Sequence, residues 1–208
     1  EFFSENIFDN INGGSLISTV FLLSIFLMAN GVNAVFSGFE NSYHQQLTRT
    51  GFKQYVYALS VAIILALLLI FTVACLGAFQ IYVIQPLFES LENKGITEIG
   101  SEVFWALFTK YLFFIIMIYL ATSTLYYFGT KEGRHSSFFS IGALFTTLLI
   151  LLTSYLFGIY IENFSKYNEL YGSIGALLIL LFYLWLNSNI LLLGYELNAS
   201  LNQLKRRV

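Results

Sequence analysis

The apolar residues of the sequence fall into five long, nearly uninterrupted runs separated by short, more polar connections. A helix needs about 20 mainly apolar residues to cross a hydrocarbon layer about 30 Å thick. Membrane-spanning strands would show short segments of alternating polarity instead of unbroken runs. The pattern therefore predicts five transmembrane helices, at residues 16–36, 56–84, 103–128, 138–160 and 171–199.

The composition indicates the same class of protein. Of the 208 residues, 57% are hydrophobic and 11% are charged, whereas soluble domains carry about 25% charged residues. So little polar surface excludes a soluble enzyme and a disordered chain. We predict an all-α, polytopic transmembrane bundle that forms a single domain over residues 1–208, with membrane lipids as partners.

The second and fifth runs are longer than a simple crossing needs. Each has 29 residues, which make about 43 Å of helix, so these helices must tilt or extend into the headgroup layer. The only proline, Pro86, follows the second run. No proline kink is therefore predicted within a span.

The basic residues indicate how the chain is oriented. Seven of the ten lie after the first, third and fifth runs, namely Arg49, Lys53, Lys131, Arg134, Lys205, Arg206 and Arg207. Because positive charge is retained on the cytoplasmic side of a membrane, we expect a cytoplasmic C-terminus. Five spans then place Glu1 outside, and since the sequence has no starting Met, we expect one further span before it.

Polar residues within the fifth run are candidates for lining a substrate cavity. Asn187 and Asn198 share one helical stripe, whereas Asn189 and Glu196 share another that is nearly opposite. Polar side chains at this depth cost free energy and usually face protein or a water-filled cavity. The alternative is that the asparagines hydrogen-bond neighbouring helices and that Glu196 is an interfacial carboxylate.

The first run carries a second polar group. Asn30 and Asn33 lie on one helical face, with Gly31 between them. A locally broken helix that lines a cavity is one interpretation of this pattern. The alternative is that Gly31, Ala34 and Gly38 simply allow close helix packing.

Lys110 is the one basic residue inside a run, about two turns from the outer end of the third span. Its stem is long enough for the ammonium group to reach the headgroups. An ion pair or an anion-binding role inside the bundle is the alternative.

The sequence shows no pattern typical of catalysis or of cofactor binding. His44 and His135 lie in separate connections without zinc-ligand spacing, and nucleotide-binding and nucleophile motifs are absent. The single cysteine, Cys75, excludes an intramolecular disulfide. We therefore predict no catalytic residue, metal or cofactor, and no nucleic-acid partner, because attraction to headgroups explains the basic loops better.

Several motifs occur in order from the end of the first run to the end of the fifth. They are Glu40-Asn41-Ser42-Tyr43 followed by Arg49, Leu125-Tyr126-Tyr127-Phe128, Gly142-Ala143, Tyr155-Leu156-Phe157 with Tyr160, Tyr171-Gly172-Ser173, and Leu192-Leu193-Gly194-Tyr195-Glu196-Leu197-Asn198. In these motifs the chain resembles the YihY/BrkB family of integral membrane proteins, formerly labelled ribonuclease BN. The resemblance implies a six-span bacterial inner-membrane protein with both termini in the cytoplasm. Tyr195 replaces a common alanine of that family, so we expect its ring to crowd a packing position.

Two functions stay open at this point. The polar residues within the spans favour an exporter or flippase for a lipid-like or small polar solute. The alternative is a structural or scaffolding protein of the cell envelope, whose polar residues only hold helices together. The older ribonuclease label would require clustered histidines and carboxylates, which the sequence does not show, so we expect no enzyme. Open hydrophobic faces are compatible with a homo-oligomer.

Overall fold

The fold is seen in a computed structural model, which describes residues 13–42, 49–93, 101–131, 133 and 137–207. At 13–17, 91–93, 163–173 and 206–207 it describes the backbone alone. Every regular element in the described part of the chain is helical. This confirms the all-α class.

The helices are numbered here in chain order. They are α1 (Gly13–Glu40), α2 (Gly51–Phe79), α3 (Gln85–Asn93), α4 (Ser101–Gly129) and α5 (Ile141–Arg207), with a π-helical turn at Gln80–Ile84 between α2 and α3. Five stretches of helix are long and apolar enough to cross a membrane, namely Ser18–Glu40, Gly51–Ser90, Ser101–Gly129, Ile141–Glu162 and Ile174–Lys205. The predicted number of spans is confirmed. Each of these five stretches runs past the C-terminal end of its predicted span, because backbone hydrogen bonding continues where hydropathy declines.

α5 contains two spans that fold back on each other. The hydroxyl oxygens of Ser154 and Tyr183 are 2.7 Å apart, and the ring centroids of Phe157 and Tyr183 are 4.8 Å apart. In a straight helix, residues 29 positions apart would be separated by about 43 Å. The chain therefore reverses between Ile141–Glu162, the first limb of α5, and Ile174–Lys205, the second limb.

Pro86 lies inside a helical span, which corrects the expectation that it follows one. The second span continues to Ser90. Pro86 has no N–H to donate to the Tyr82 carbonyl, and in a regular α-helix its ring would collide with that carbonyl. The backbone N–H of Gln85 bonds to the carbonyl of Gln80, five residues back, and this wider π-helical turn accommodates the proline.

The tightest packing lies at one end of the bundle, where α1 ends, α2 begins and α4 ends. This end is named the Arg49 end, after the residue in the connection between α1 and α2. Phe36, Phe39, Tyr126 and Tyr195 are buried there. Large apolar side chains elsewhere are mostly exposed, as expected of helices whose outer faces contact lipid.

Candidate functional site

Arg49 joins three helices through its side chain and its backbone. Its Nη1 donates to the Phe128 carbonyl at 2.7 Å and to the Gly129 carbonyl at 3.4 Å. Its Nη2 donates to the Thr130 carbonyl at 2.7 Å, and its backbone N–H donates to Oε1 of Glu40 at 3.4 Å. One residue thus ties the end of α1 and the start of α2 to the end of α4.

Helix chemistry explains why an arginine suits this position. The last four carbonyls of an α-helix have no partner within the helix and carry partial negative charge. Since α4 ends at Gly129, the planar guanidinium supplies both donors and positive charge where they are needed. The ring centroid of Tyr57 lies 4.3 Å from Cζ of Arg49, a distance at which a cation–π contact stabilises the pair.

Three buried rings pack beside this arginine. Phe39 stacks on Tyr195 with ring centroids 4.3 Å apart, and Tyr126 meets both rings edge-on, 5.6 Å from Phe39 and 5.8 Å from Tyr195. The Tyr195 hydroxyl lies 2.9 Å from Oγ1 of Thr130, which accepts the backbone N–H of Gly133 at 3.1 Å. The Tyr195 ring therefore does not crowd its neighbours but stacks favourably on Phe39. Its hydroxyl bonds to Thr130 and so stabilises the connection after α4.

The two limbs of α5 cross at a pair of glycines. A Cβ on Gly194 would collide with Oγ1 of Thr146 and lie 2.6 Å from the Tyr126 hydroxyl. A Cβ on Gly142 would collide with the Gly194 carbonyl and lie 2.6 Å from Cβ of Asn198. Membrane helices use small residues in this way to bring their backbones close.

The Tyr126 hydroxyl, on α4, forms hydrogen bonds to both limbs of α5 at this crossing. It donates to the Leu191 carbonyl at 2.7 Å and shares a short hydrogen bond with Oγ1 of Thr146. Replacing Tyr126 with Phe keeps the ring and removes these bonds, so we expect the free energy of unfolding to fall by about 1–2 kcal/mol. Denaturant titration in detergent micelles measures this change. Tyr155→Phe is the control, because Tyr155 is 69% exposed, and an equal loss in both variants would contradict the assignment.

A groove of about 310 Å³ opens between α1 and the second limb of α5. Pockets that hold small molecules begin at about this volume. Most of its walls are apolar, and because Ala34, Gly38 and Asn189 are exposed, it faces the membrane. It is lined by Ala34, Val35, Gly38 and Phe39 of α1 and by Ser188, Asn189, Leu191 and Leu192 of the second limb.

The structure separates the two central asparagines of the fifth span. Asn189 lines the groove, and its Nδ2 donates to the Trp185 carbonyl at 2.7 Å. Asn187 is half-buried, lies outside the groove lining, and donates from Nδ2 to the Tyr183 carbonyl at 2.8 Å. Both amides thus bond the backbone of their own helix.

The asparagines of the first span lie near the groove without lining it. Asn30 is exposed and Asn33 is half-buried. α1 is helical without interruption from Gly13 to Glu40, so the interpretation of a locally broken helix at Gly31 is wrong. A single glycine lowers helix stability by about 1 kcal/mol at most, too little to break a span in which every backbone group needs a partner.

The remaining predicted residues lie at opposite ends of the bundle. Glu196 is half-buried and Asn198 is buried near the Arg49 end, where Asn198 packs against Gly142. Lys110 lies toward the other end, and its Nζ donates to Oε1 of Gln80 at 2.8 Å. The predicted candidates therefore do not converge on one site. His44 and His135 lie outside the described residues.

Sequence reasoning does not single out Tyr126, Thr130 or Thr146 as site residues. Their partners are hydroxyls and carbonyls up to 65 residues away, so no local spacing signals them. The one signal is that Tyr126 belongs to a motif used for the family resemblance. Among the residues that the structure describes, no three His, Cys, Asp or Glu side chains are placed to hold a metal ion.

Several motifs that are far apart in the sequence meet at the Arg49 end. The whole chain was therefore compared with known protein families. A sequence profile of the family described as "Virulence factor BrkB" matches residues 1–208. The chain belongs to the BrkB family. This confirms the resemblance inferred from the motifs. Arg49, Tyr126, Gly142 and Gly194 are among the motif residues that form the contacts described above.

Three similar proteins show how far the likeness extends. The "Putative ribonuclease-like protein YfkH" of Bacillus subtilis is 24% identical over 202 residues, which cover 95% of this chain and 70% of that protein. A "UPF0761 membrane protein" of Coxiella burnetii is 28% identical over 190 residues, 89% of this chain and 62% of that protein. One of Idiomarina loihiensis is 31% identical over 113 residues, 53% of this chain and 37% of that protein. No solved structure matches the BrkB-family chain.

Proposed function

We propose that this BrkB-family protein binds a lipid-like solute in the groove between α1 and the second limb of α5 and carries it across the bacterial inner membrane as an exporter or flippase. The observation that carries the proposal is the mixed lining of the groove. Its walls are mostly apolar and face the membrane, and the polar residues Ser188 and Asn189 are among those that line it. Apolar walls suit an acyl chain, and a few polar groups suit the polar part of the same molecule.

The position of the groove along the helices supports access from one leaflet. Asn189 precedes Tyr195 by six residues in α5, about 9 Å of helix, and Tyr195 lies at the Arg49 end. Basic residues of this end, Lys53 and Lys205 among them, are exposed. With this end on the cytoplasmic side, as the positive-inside rule favours, the groove opens into the cytoplasmic leaflet and receives its solute there.

Two glycines of α1 provide a matched test. Gly38 lines the groove, whereas Gly31 lies outside it, and a Cβ at either position would meet no atom within 4 Å. Gly38→Leu therefore fills the groove without disturbing the helix packing, and Gly31→Leu adds the same side chain seven residues away. We expect vesicles containing the wild type or Gly31→Leu to move a fluorescent phospholipid between leaflets, and Gly38→Leu to move it at least fivefold more slowly.

The measurement is the fraction of labelled lipid that a membrane-impermeant reductant bleaches over time. Protein-free vesicles give the background rate. A wild-type rate equal to that background, for a phospholipid and for small polar solutes trapped in the vesicles, would contradict transport. Equal slowing in the Gly31→Leu and Gly38→Leu variants would contradict the role of the groove.

A scaffolding role is the second candidate, and the contacts of Arg49 favour it. This one residue contacts the ends of α1 and α4 from just before the start of α2, as a residue that only holds helices together would. If the protein is a scaffold, vesicles that contain it should show no solute movement. Only variants that unfold should then lose function in cells. The Gly38→Leu variant would then behave like the wild type in cells.

A further inference from the structure

Two cations of the bundle are separated by the thickness of a bilayer's hydrocarbon. Arg49 binds the end of α4 at Phe128 and Gly129, and Lys110 lies 19 residues before Gly129 in the same helix. At about 1.5 Å per residue this is about 28 Å, close to the roughly 30 Å of a hydrocarbon core. Placing Arg49 at one headgroup layer therefore places Lys110 at the other.

The Lys110 ammonium is held by a hydrogen bond and does not extend freely into water. It is half-buried between α4 and the π-helical turn, and its Nζ lies 2.8 Å from Oε1 of Gln80. Gln80 is the first residue of that turn. Among the described residues, no carboxylate forms an ion pair with Lys110. The amide oxygen is a neutral acceptor, so the positive charge is hydrogen-bonded without being neutralised.

The donors that remain at this position suit an anion. An ammonium group has three N–H donors and no acceptor, and a glutamine amide has two N–H donors besides its oxygen. After the Lys110–Gln80 hydrogen bond, the ammonium and the amide each keep two N–H donors. A phosphate oxygen accepts charge-assisted hydrogen bonds from such groups strongly.

The surroundings identify the source of that phosphate as lipid. Phe104, Trp105, Phe108 and Tyr111 on α4 and Tyr82 on the π-helical turn are all exposed. Trp and Tyr are enriched where the hydrocarbon meets the headgroups. An anion that approaches Lys110 therefore does so from within the headgroup layer.

We infer that Lys110 and Gln80 form a binding site for the phosphate group of an anionic phospholipid, in the leaflet opposite the Arg49 end. The site is distinct from the groove, and it does not depend on the proposed transport. It explains why a lysine stands inside an otherwise apolar span: the lipid supplies the negative charge that the described part of the bundle does not.

Native mass spectrometry of the full chain in detergent, titrated with phosphatidylglycerol or phosphatidylcholine, tests this site. Both lipids carry the phosphate, but the choline cation of phosphatidylcholine cancels its charge. We therefore expect the wild type to bind phosphatidylglycerol at least fivefold more tightly, the ratio that one lysine at a membrane surface supplies. Lys110→Met should abolish the preference. Lys110→Arg should retain it, and Lys53→Gln, which removes an exposed lysine at the other end, should leave it unchanged.

Gln80→Glu is a second and independent variant, because it keeps the ammonium and gives it a carboxylate partner. It should abolish the preference as Lys110→Met does. A preference that survives in both variants would overturn the site. So would displacement of phosphatidylglycerol by millimolar inorganic phosphate, which would show a site for free phosphate instead of lipid.

Discussion

Replacing Arg49 with Met should lower the free energy of unfolding by about 2–4 kcal/mol. Methionine keeps much of the apolar stem and removes all guanidinium donors, so the carbonyls of Phe128 and Thr130 lose bonds of 2.7 Å. A buried carbonyl left without a donor costs about 1–3 kcal/mol, and the end of α4 also loses a favourable charge. Denaturant titration in detergent micelles, followed by circular dichroism, measures the change.

Two further substitutions make this result specific to the guanidinium group. Lys53→Met removes a positive charge from an exposed position and should change the unfolding free energy by less than about 0.5 kcal/mol. Arg49→Lys should fall between the wild type and Arg49→Met, because an ammonium group lacks the planar fork that reaches several carbonyls. Wild-type stability in Arg49→Met would contradict the capping role.

Replacing Gly194 with Ala should also destabilise the bundle, by about 2–4 kcal/mol. The new methyl group would collide with Oγ1 of Thr146 and crowd the Tyr126 hydroxyl, so the two limbs of α5 would have to move apart. Overpacking of this kind typically costs about 1–3 kcal/mol, and the hydrogen bonds of Tyr126 would be strained as well. The same titration measures the loss.

Gly158→Ala is the matched control on the first limb. A Cβ there would meet no atom within 4 Å, so the change should be neutral or stabilising by up to about 1 kcal/mol, as alanine favours a helix. Adding Thr146→Ala to Gly194→Ala removes the colliding oxygen, so the double variant should be more stable than the sum of the single effects predicts. If Gly194→Ala were as stable as Gly158→Ala, the close crossing would be wrong.

The spans could be predicted because their cause is local. A long apolar run is itself the condition for crossing a bilayer, and each of the five runs gives a helix. The path of the backbone at Pro86 could not be predicted in the same way. Mean hydropathy does not report backbone hydrogen bonding, whereas the helix continues past Phe79 through the π-helical turn Gln80–Ile84, where the N–H of Gln85 bonds to the Gln80 carbonyl.

The site depends on contacts between residues that are far apart in the sequence, so the local spacing of residue types does not predict them. Arg49 and the Thr130 carbonyl are 81 residues apart in the sequence, and neither residue has a distinctive periodicity around it. The family resemblance marked Arg49 as part of a motif, without indicating that its partner is the end of a helix. The polarity of Asn189 at depth predicts that it lines a cavity, and Asn189 is one of the residues that line the groove. That polarity does not distinguish it from Asn187, which lies outside.

Phe39 belongs to two parts of the molecule at once. Phe39 is one of the residues that line the groove, and its ring is stacked on Tyr195, whose hydroxyl bonds to Thr130 in the connection after α4. An occupant that displaced this ring would loosen the connection, and by thermodynamic linkage a partner that tightened the connection would change the occupant's affinity by the same factor.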